Sequence, residues 1–262
     1  MFIVVNNAGV NELGRALLLP TPGRWLLSPP NERSSMASQG LFGSSLVKKY
    51  WMALTGLFLI SFLLVHCTLN AFIFFNDGGV TFNEGAEFMA KNPIIRIMEV
   101  VLFLGLIIHV VDGLMLWSQN RKARPVKYAK ENGSANRRWY SASMGILGTL
   151  ILLFLILHLF HFWVKSRITG LDEFGVDAEG RENLFAVMQL TFSYGGGVVV
   201  YVLGCFSLFW HLLHGFKSAF QSLGLNHKRY NGFIALCGTL FSIIVPTIFA
   251  LMPVSSYFGW IK

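Results

Sequence analysis

Charge is scarce in this chain: only 13% of its 262 residues are Asp, Glu, Lys or Arg, about half the share of an ordinary soluble domain. Water is therefore not its main solvent. Cysteine is scarcer, with Cys67, Cys205 and Cys237 standing singly in apolar stretches and no CxxC or Cys/His finger spacing. That argues against a disulfide framework and against a zinc finger. Acidic residues are outnumbered, 13 against 21 Lys and Arg, for a net charge of +8. The bases lie in short stretches between long apolar runs, which suits topology signals and contacts with membrane lipid; no nucleic-acid partner is expected.

What the sequence has is apolar surface: 54% of residues are hydrophobic, with 24 Phe and 7 Trp. Five runs reach the roughly 20 residues needed to cross a bilayer. They span about 50–75, 94–117, 140–164, 184–216 and 233–252. None has strand character, so the expected fold is an all-α integral membrane protein, a bundle of five transmembrane helices occupying 36–262. Residues 1–35 contain NNAG, PTPG and SPPNE. Gly, Pro and Asn interrupt any helix there, and a signal peptide's basic start and continuous apolar core are missing. That segment is expected to be disordered, or an artefact of gene calling upstream of Met36.

Loop charge orients the bundle. Lys48 and Lys49 precede the first run; Arg121, Lys122, Arg124, Lys127, Lys130, Arg137 and Arg138 fill the second loop; Lys228 and Arg229 lie in the fourth. These belong in the cytoplasm. The first loop carries Asp77, Glu84 and Glu87, and the third carries Asp172, Glu173, Asp177, Glu179 and Glu182. These belong outside. Five alternating crossings then place the N-terminus in the cytoplasm and the C-terminus outside.

Six of the seven histidines fall inside the spans: His66, His109, His158, His161, His211 and His214. Ionisable groups in hydrocarbon are costly and turn toward a bundle interior with a partner or a function. Direction converts position into depth. His66, His158 and His161 belong to the outer half; His109, His211 and His214 belong to the inner half. Each level draws on two helices, as two stacked bis-histidine haem sites require. A lone membrane histidine is more simply a hydrogen-bonded core residue, but four helices contributing at two levels favour haem. HLFH (His158, His161) and HLLH (His211, His214) each hold two histidines three apart, so one of each pair is spare, hydrogen-bonded to a propionate, a carbonyl or water. A Zn or Cu site using both is disfavoured, because no intramembrane carboxylate is expected beside the outer cluster.

From residue 44 onward the chain resembles the cytochrome b membrane anchor of bacterial succinate dehydrogenase and fumarate reductase, of the single-anchor, five-helix, two-haem type. The resemblance rests on LTGLFLISFLLVH ending at His66, GLIIHVVDG around His109, GTLILLFLILH ending at His158, and HGFKSAF beginning at His214. It implies two haem b groups, the outer on His66 and His158 and the inner on His109 and His214. It also implies electron transfer between a membrane quinone, menaquinone first, and an iron–sulfur subunit. That subunit would serve a flavoprotein acting on succinate or fumarate at the bacterial cytoplasmic membrane. This chain has neither a flavin fingerprint nor an iron–sulfur cysteine ladder, so dicarboxylate chemistry falls to those partner subunits. The basic second loop is where the iron–sulfur partner would dock.

Quinone chemistry moves protons as well as electrons. Glu84, or Glu87 in its place, lies roughly where related anchors carry a quinone-site glutamate; a solvated loop carboxylate is an equally good account. Asp112 lies three residues after His109, and Lys217 three after His214. Lys217 could pair with Asp112 or with an inner-haem propionate. Arg137, Arg138 and Trp139 are further propionate candidates by position, with headgroup anchoring as the plainer role. The glutamate that some two-haem anchors place two residues before the fourth-helix ligand is Leu212 here, which puts that proton route in doubt. Rival readings are the cytochrome b anchor of a hydrogenase or formate dehydrogenase, and a transporter relaying protons through Asp112 and the histidines. No convincing internal repeat supports the transporter.

Overall fold

The computed structural model describes residues 45–122 and 139–262. The expectations for 1–35 and for Met36, together with Arg137 and Arg138, lie outside the described residues. Among those described, the chain is helical, and its one β-type pairing is an isolated bridge between Val176 and Glu182. Helix α1 covers Ser45–Asn70 and runs on as a 3₁₀ turn, Ala71–Phe75. Helix α2 is Val80–Lys91, α3 is Pro93–Lys122, and α4 is the short Trp139–Ala142. Helix α5, Met144–His158, continues without a break as a π-helix, Leu159–Thr169. Helices α6 (Leu184–Phe192), α7 (Gly195–Ser222) and α8 (Asn231–Tyr257) complete the chain.

Five of these helical stretches are long and apolar enough to cross a membrane: Leu46–Phe75, Pro93–Lys122, Met144–Thr169, Gly195–Ser222 and Asn231–Tyr257. This is a multi-pass membrane protein. Its backbone polar groups are closed within each helix, as hydrocarbon requires. Hydroxyls inside the spans donate back to carbonyls one turn earlier, Thr55 to Trp51 O and Thr149 to Gly145 O among them. Large apolar side chains face outward, including Ile97, Leu104 and Ile107 on α3, Leu153 and Ile156 on α5, and Ile243 and Ile244 on α8. Such faces suit lipid, whose tails are as apolar as they are.

The interior is held by close approach. The Phe154 ring lies over Gly204, where an added Cβ would come 2.5 Å from it, so α5 packs tightly on α7. Helix α8 packs mainly along α7, and α1 lies between α3 and α7. At one end, α2, α6 and the C-terminal residues close over the bundle around Ile73, Phe82, Phe185, Phe192, Met252 and Ile261. Lys262 N donates to Asn76 Oδ1 at 2.6 Å, and Gly78 N donates to Lys262 O at 3.0 Å. We call this the capped end. The opposite end carries Lys48, Lys49, Arg121, Lys122, Lys228 and Arg229 and is the basic end.

Two expected elements differ from those observed. The fourth run does not form one helix over 184–216: Tyr194 is extended (φ −105°, ψ 121°), separating α6 from α7. Gly195, Gly196 and Gly197 follow it, and a Cβ on Gly197 would meet Thr191 O at 2.9 Å. The glycines permit this sharp re-entry, which side chains would obstruct. The acidic first loop, for its part, is largely the amphipathic helix α2. It starts after Asp77, whose Oδ2 accepts from Thr81 N at 3.0 Å, and ends at Asn92. Asn92 Oδ1 then caps Ile94 N at 2.9 Å, with Pro93 in the first turn of α3, a favoured place for proline.

Candidate functional site

The spans bring four of the six intramembrane histidines into two facing pairs. His66 on α1 meets His158 at the end of α5, ring centroids 5.9 Å apart and planes at 88°. His109 on α3 meets His211 on α7, centroids 6.3 Å apart and planes at 67°. Two imidazoles binding one metal ion from opposite sides, each nitrogen about 2 Å from it, have centroids about 6 Å apart. Both pairs have that separation. Among the described residues, no three His, Cys, Asp or Glu side chains gather as a metal cluster. A metal held between two such rings would need its remaining donors from elsewhere, as a macrocycle could supply them.

The pairs lie at two depths. Gly56 on α1 backs His109, and an added Cβ there would lie 3.5 Å from its Cε1; Gly148 on α5 backs His211 in the same way at 3.8 Å. Gly56 precedes His66 by ten residues, and Gly148 precedes His158 by ten. Two helices thus independently set the levels about 15 Å apart. The His66–His158 pair is nearer the capped end.

Geometry also chooses within the doubled motifs. In HLFH, His158 faces His66, while His161 turns aside and pairs with Tyr201: Nδ1 to Oη is 3.0 Å, and the rings are stacked at 5.9 Å and 6°. In HLLH, His211 faces His109, and His214 instead meets the edge of Tyr140 at 6.4 Å. The resemblance had put His214 opposite His109. One helical turn separates the two, and the pairing of Gly148 with His211 puts His211 at the depth of His109.

The ring nitrogens carry further information. Thr55 Oγ1 donates to Trp51 O at 2.7 Å and lies 3.2 Å from His109 Nδ1. With the hydroxyl hydrogen given to a carbonyl, Thr55 is placed to accept from Nδ1–H, the tautomer that would leave Nε2 free for a metal. His158 Nδ1 and His211 Nδ1 are buried and have no hydrogen-bond partner. Such unpaired groups are uncommon in folded interiors. His66 is the exception. Asn70 Nδ2 lies 3.2 Å from its Nδ1 and donates to its carbonyl at 2.8 Å; as placed, that amide holds the proton on Nε2. Ligation through Nε2 requires Asn70 to turn over.

Aromatic rings wall the pairs. Phe62 stacks on His66 at 5.1 Å, Phe249 lies 5.5 Å away, and Phe154 and Phe162 flank His158. On the basic side of the His109–His211 pair stand Trp139, Trp210 and Tyr140, with Trp139 and Trp210 centroids 4.7 Å apart. Trp210 Nε1 is buried without a partner, and Trp139 is half exposed. Lys217 is exposed and makes no ion pair with Asp112. Asp112 is itself buried.

Glu84 and Glu87 both lie on α2 and, with Phe88, Lys91 and Asn92, line an open groove of about 470 Å³ at the capped end. Glu87 is ion-paired with Lys91, and Glu84 is exposed. The sequence reading missed Thr55, Asn70 and Tyr201, polar residues inside spans at hydrogen-bonding reach of a histidine. It also missed Glu99. Glu99, within a span on α3, accepts from the Trp163 indole and from Arg96 Nη1 (2.8 Å), with Arg167 Nε at 3.6 Å. A Glu within an apolar run was the available signal.

No protein-family model, curated protein or solved structure matches the chain.

Proposed function

We propose that this chain is the membrane-anchor cytochrome b subunit of a succinate:quinone oxidoreductase, passing electrons between a membrane quinone and an iron–sulfur subunit through two b haems. The observation that carries this reading is the pair of facing histidines at each of two depths, about 6 Å between rings and about 15 Å between levels. Haem bound there would supply one-electron chemistry. His66 and His158 would hold one group; His109 and His211 would hold the other, with His214 the alternative drawn from the resemblance. Thr55, within reach of His109 Nδ1, would hold the tautomer that leaves Nε2 free, and the phenylalanines around His66 and His158 would keep water away. Trp139, with the exposed Lys217, sits where it would anchor propionates or the headgroup region, as would Arg137 and Arg138 by position.

Glu84 and Glu87 would serve a quinone from the α2 groove. The basic loops would face the cytoplasm of a bacterium and the capped end the outside, by the positive-inside bias. The iron–sulfur and flavoprotein subunits would then dock at the basic end.

The test is a redox difference spectrum of the chain purified with its partners. Two low-spin b-type signals, reducible by succinate and not by hydrogen or formate, support the reading. A colourless protein from haem-replete cells overturns it.

A further inference from the structure

A hollow at the basic end lies apart from both histidine pairs. It opens between the first turns of α1 and the last turn of α7, where Leu46, Lys49 and Tyr50 face Ser218, Gln221 and Ser222 around about 300 Å³. One membrane span begins at Leu46 and another ends at Ser222, so the hollow sits where hydrocarbon gives way to headgroups. Its polar side chains are uncommitted. Among the described residues, Lys49, Ser218, Gln221 and Ser222 have no side-chain hydrogen bond or ion pair. Other span serines return their hydroxyl to a carbonyl one turn earlier, Ser61 to Phe58 O at 2.7 Å and Ser242 to Gly238 O at 2.6 Å. Ser218 has the same option on α7 and does not take it.

The charge around the hollow favours an anion. Among the described residues of this end, Lys48, Lys49, Arg121, Lys122, Lys217, Lys228 and Arg229 are cationic, and the one carboxylate, Asp112, is buried. Helix α1 starts here and brings the positive end of its dipole. The opposing negative end of α7 is muted, because Leu223 N, Gly224 N and Leu225 N donate to the carbonyls of Ala219, Gln221 and Phe220. An ammonium, two hydroxyls and a side-chain amide all donate hydrogen bonds, and the oxygens of a phosphodiester only accept. Leading away from the hollow, Leu46, Tyr50 and Leu54 stand four apart on one face of α1 and are 68%, 50% and 49% exposed. A ligand that is phosphate at one end and hydrocarbon at the other matches this succession of surfaces. A soluble phosphate would leave the apolar stripe unused.

We infer that this hollow is a binding site for an anionic phospholipid such as phosphatidylglycerol. Lys49, Ser218, Gln221 and Ser222 hold its phosphate, Tyr50 sits at the headgroup level as interfacial aromatics do, and an acyl chain lies along Leu46, Tyr50 and Leu54. Zwitterionic lipids are disfavoured, since their own ammonium would be brought up against Lys49. Basic pockets between spans are recognised sites of this kind of lipid contact. The lipid would tie the start of the first span to the end of the fourth.

The test reconstitutes the full-length chain, with its co-purifying partners, into phosphatidylcholine vesicles carrying a small share of phosphatidylglycerol with a diazirine beside its headgroup. Crosslinks are mapped by mass spectrometry and are expected on 45–54 and 217–225. Lys49→Gln should lower the yield about fivefold, with Lys49→Arg restoring it. Lys228→Gln, which removes the same charge elsewhere on this end, should change it by less than about twofold. Ser218→Ala with Ser222→Ala leaves charge untouched and should also lower it about fivefold. Equal yields from a phosphatidylcholine probe, or equal losses in Lys49→Gln and Lys228→Gln, overturn the inference. Full displacement by millimolar glycerol 3-phosphate overturns it too, in favour of a soluble phosphate. If Lys49→Gln does not insert, unchanged labelling of the double serine variant decides against the site. Labelling needs no haem, so its outcome and the b-type spectrum stand or fall separately.

Discussion

Thr55 Oγ1 on α1 donates to Trp51 O and lies 3.2 Å from Nδ1 of His109 on α3, within hydrogen-bonding reach of that ring. Removing the hydroxyl should show. Thr55→Val is expected to weaken retention of the haem proposed on His109 by about 10- to 100-fold, with Thr55→Ser largely restoring it. Haem content per chain after graded detergent washing is the measurement, and equal retention in all three proteins would deny Thr55 that role.

The facing of His211 and His109 predicts that His211→Ala loses one of two b-type signals and that His214→Ala keeps both. The difference spectrum of each variant decides. Loss in His214→Ala with retention in His211→Ala would restore the assignment suggested by HGFKSAF.

At the capped end, Asn83 is 1% exposed; its Oδ1 accepts from Phe185 N at 2.9 Å, and its Nδ2 reaches Asp177 and Asn183. Asn83→Ala leaves the Phe185 amide buried and unpaired. A loss of about 2–3 kcal/mol in the stability of this end is expected, read as a lower Tm in detergent. An unchanged Tm would show that the cap does not limit stability.

Acid should loosen the same end. Burial alone would raise the Asp177 carboxyl, but the backbone and side chain of Arg181, then Asn83 and the Glu179 amide, bond to it and hold it below the ordinary carboxylate value. A carboxyl lowered in the fold stabilises fully above its unfolded value near 4 and loses that contribution as pH falls through the folded value. The Tm should therefore drop as pH falls below about 4. Asp177→Asn should flatten that dependence, and an equally steep curve for the variant would place the acid sensitivity elsewhere.

The sequence by itself determined the five crossings, because about 20 apolar residues leave a backbone in hydrocarbon no alternative to a helix. It also set which helices carry histidine and, through loop charge, an expected direction for each. Which rings face one another is seen only in the fold, His66 with His158 and His109 with His211. Other features depended on contacts across helices. The break at Tyr194 and the π-helix after His158 are backbone conformations that apolar composition does not encode. The facing of His211 rather than His214 turns on one helical turn of register between α3 and α7, which the approach of Gly148 to His211 displays. Glu99 is met by Trp163 and Arg167 from 64 and more residues away in sequence, a meeting that helix packing alone brings about.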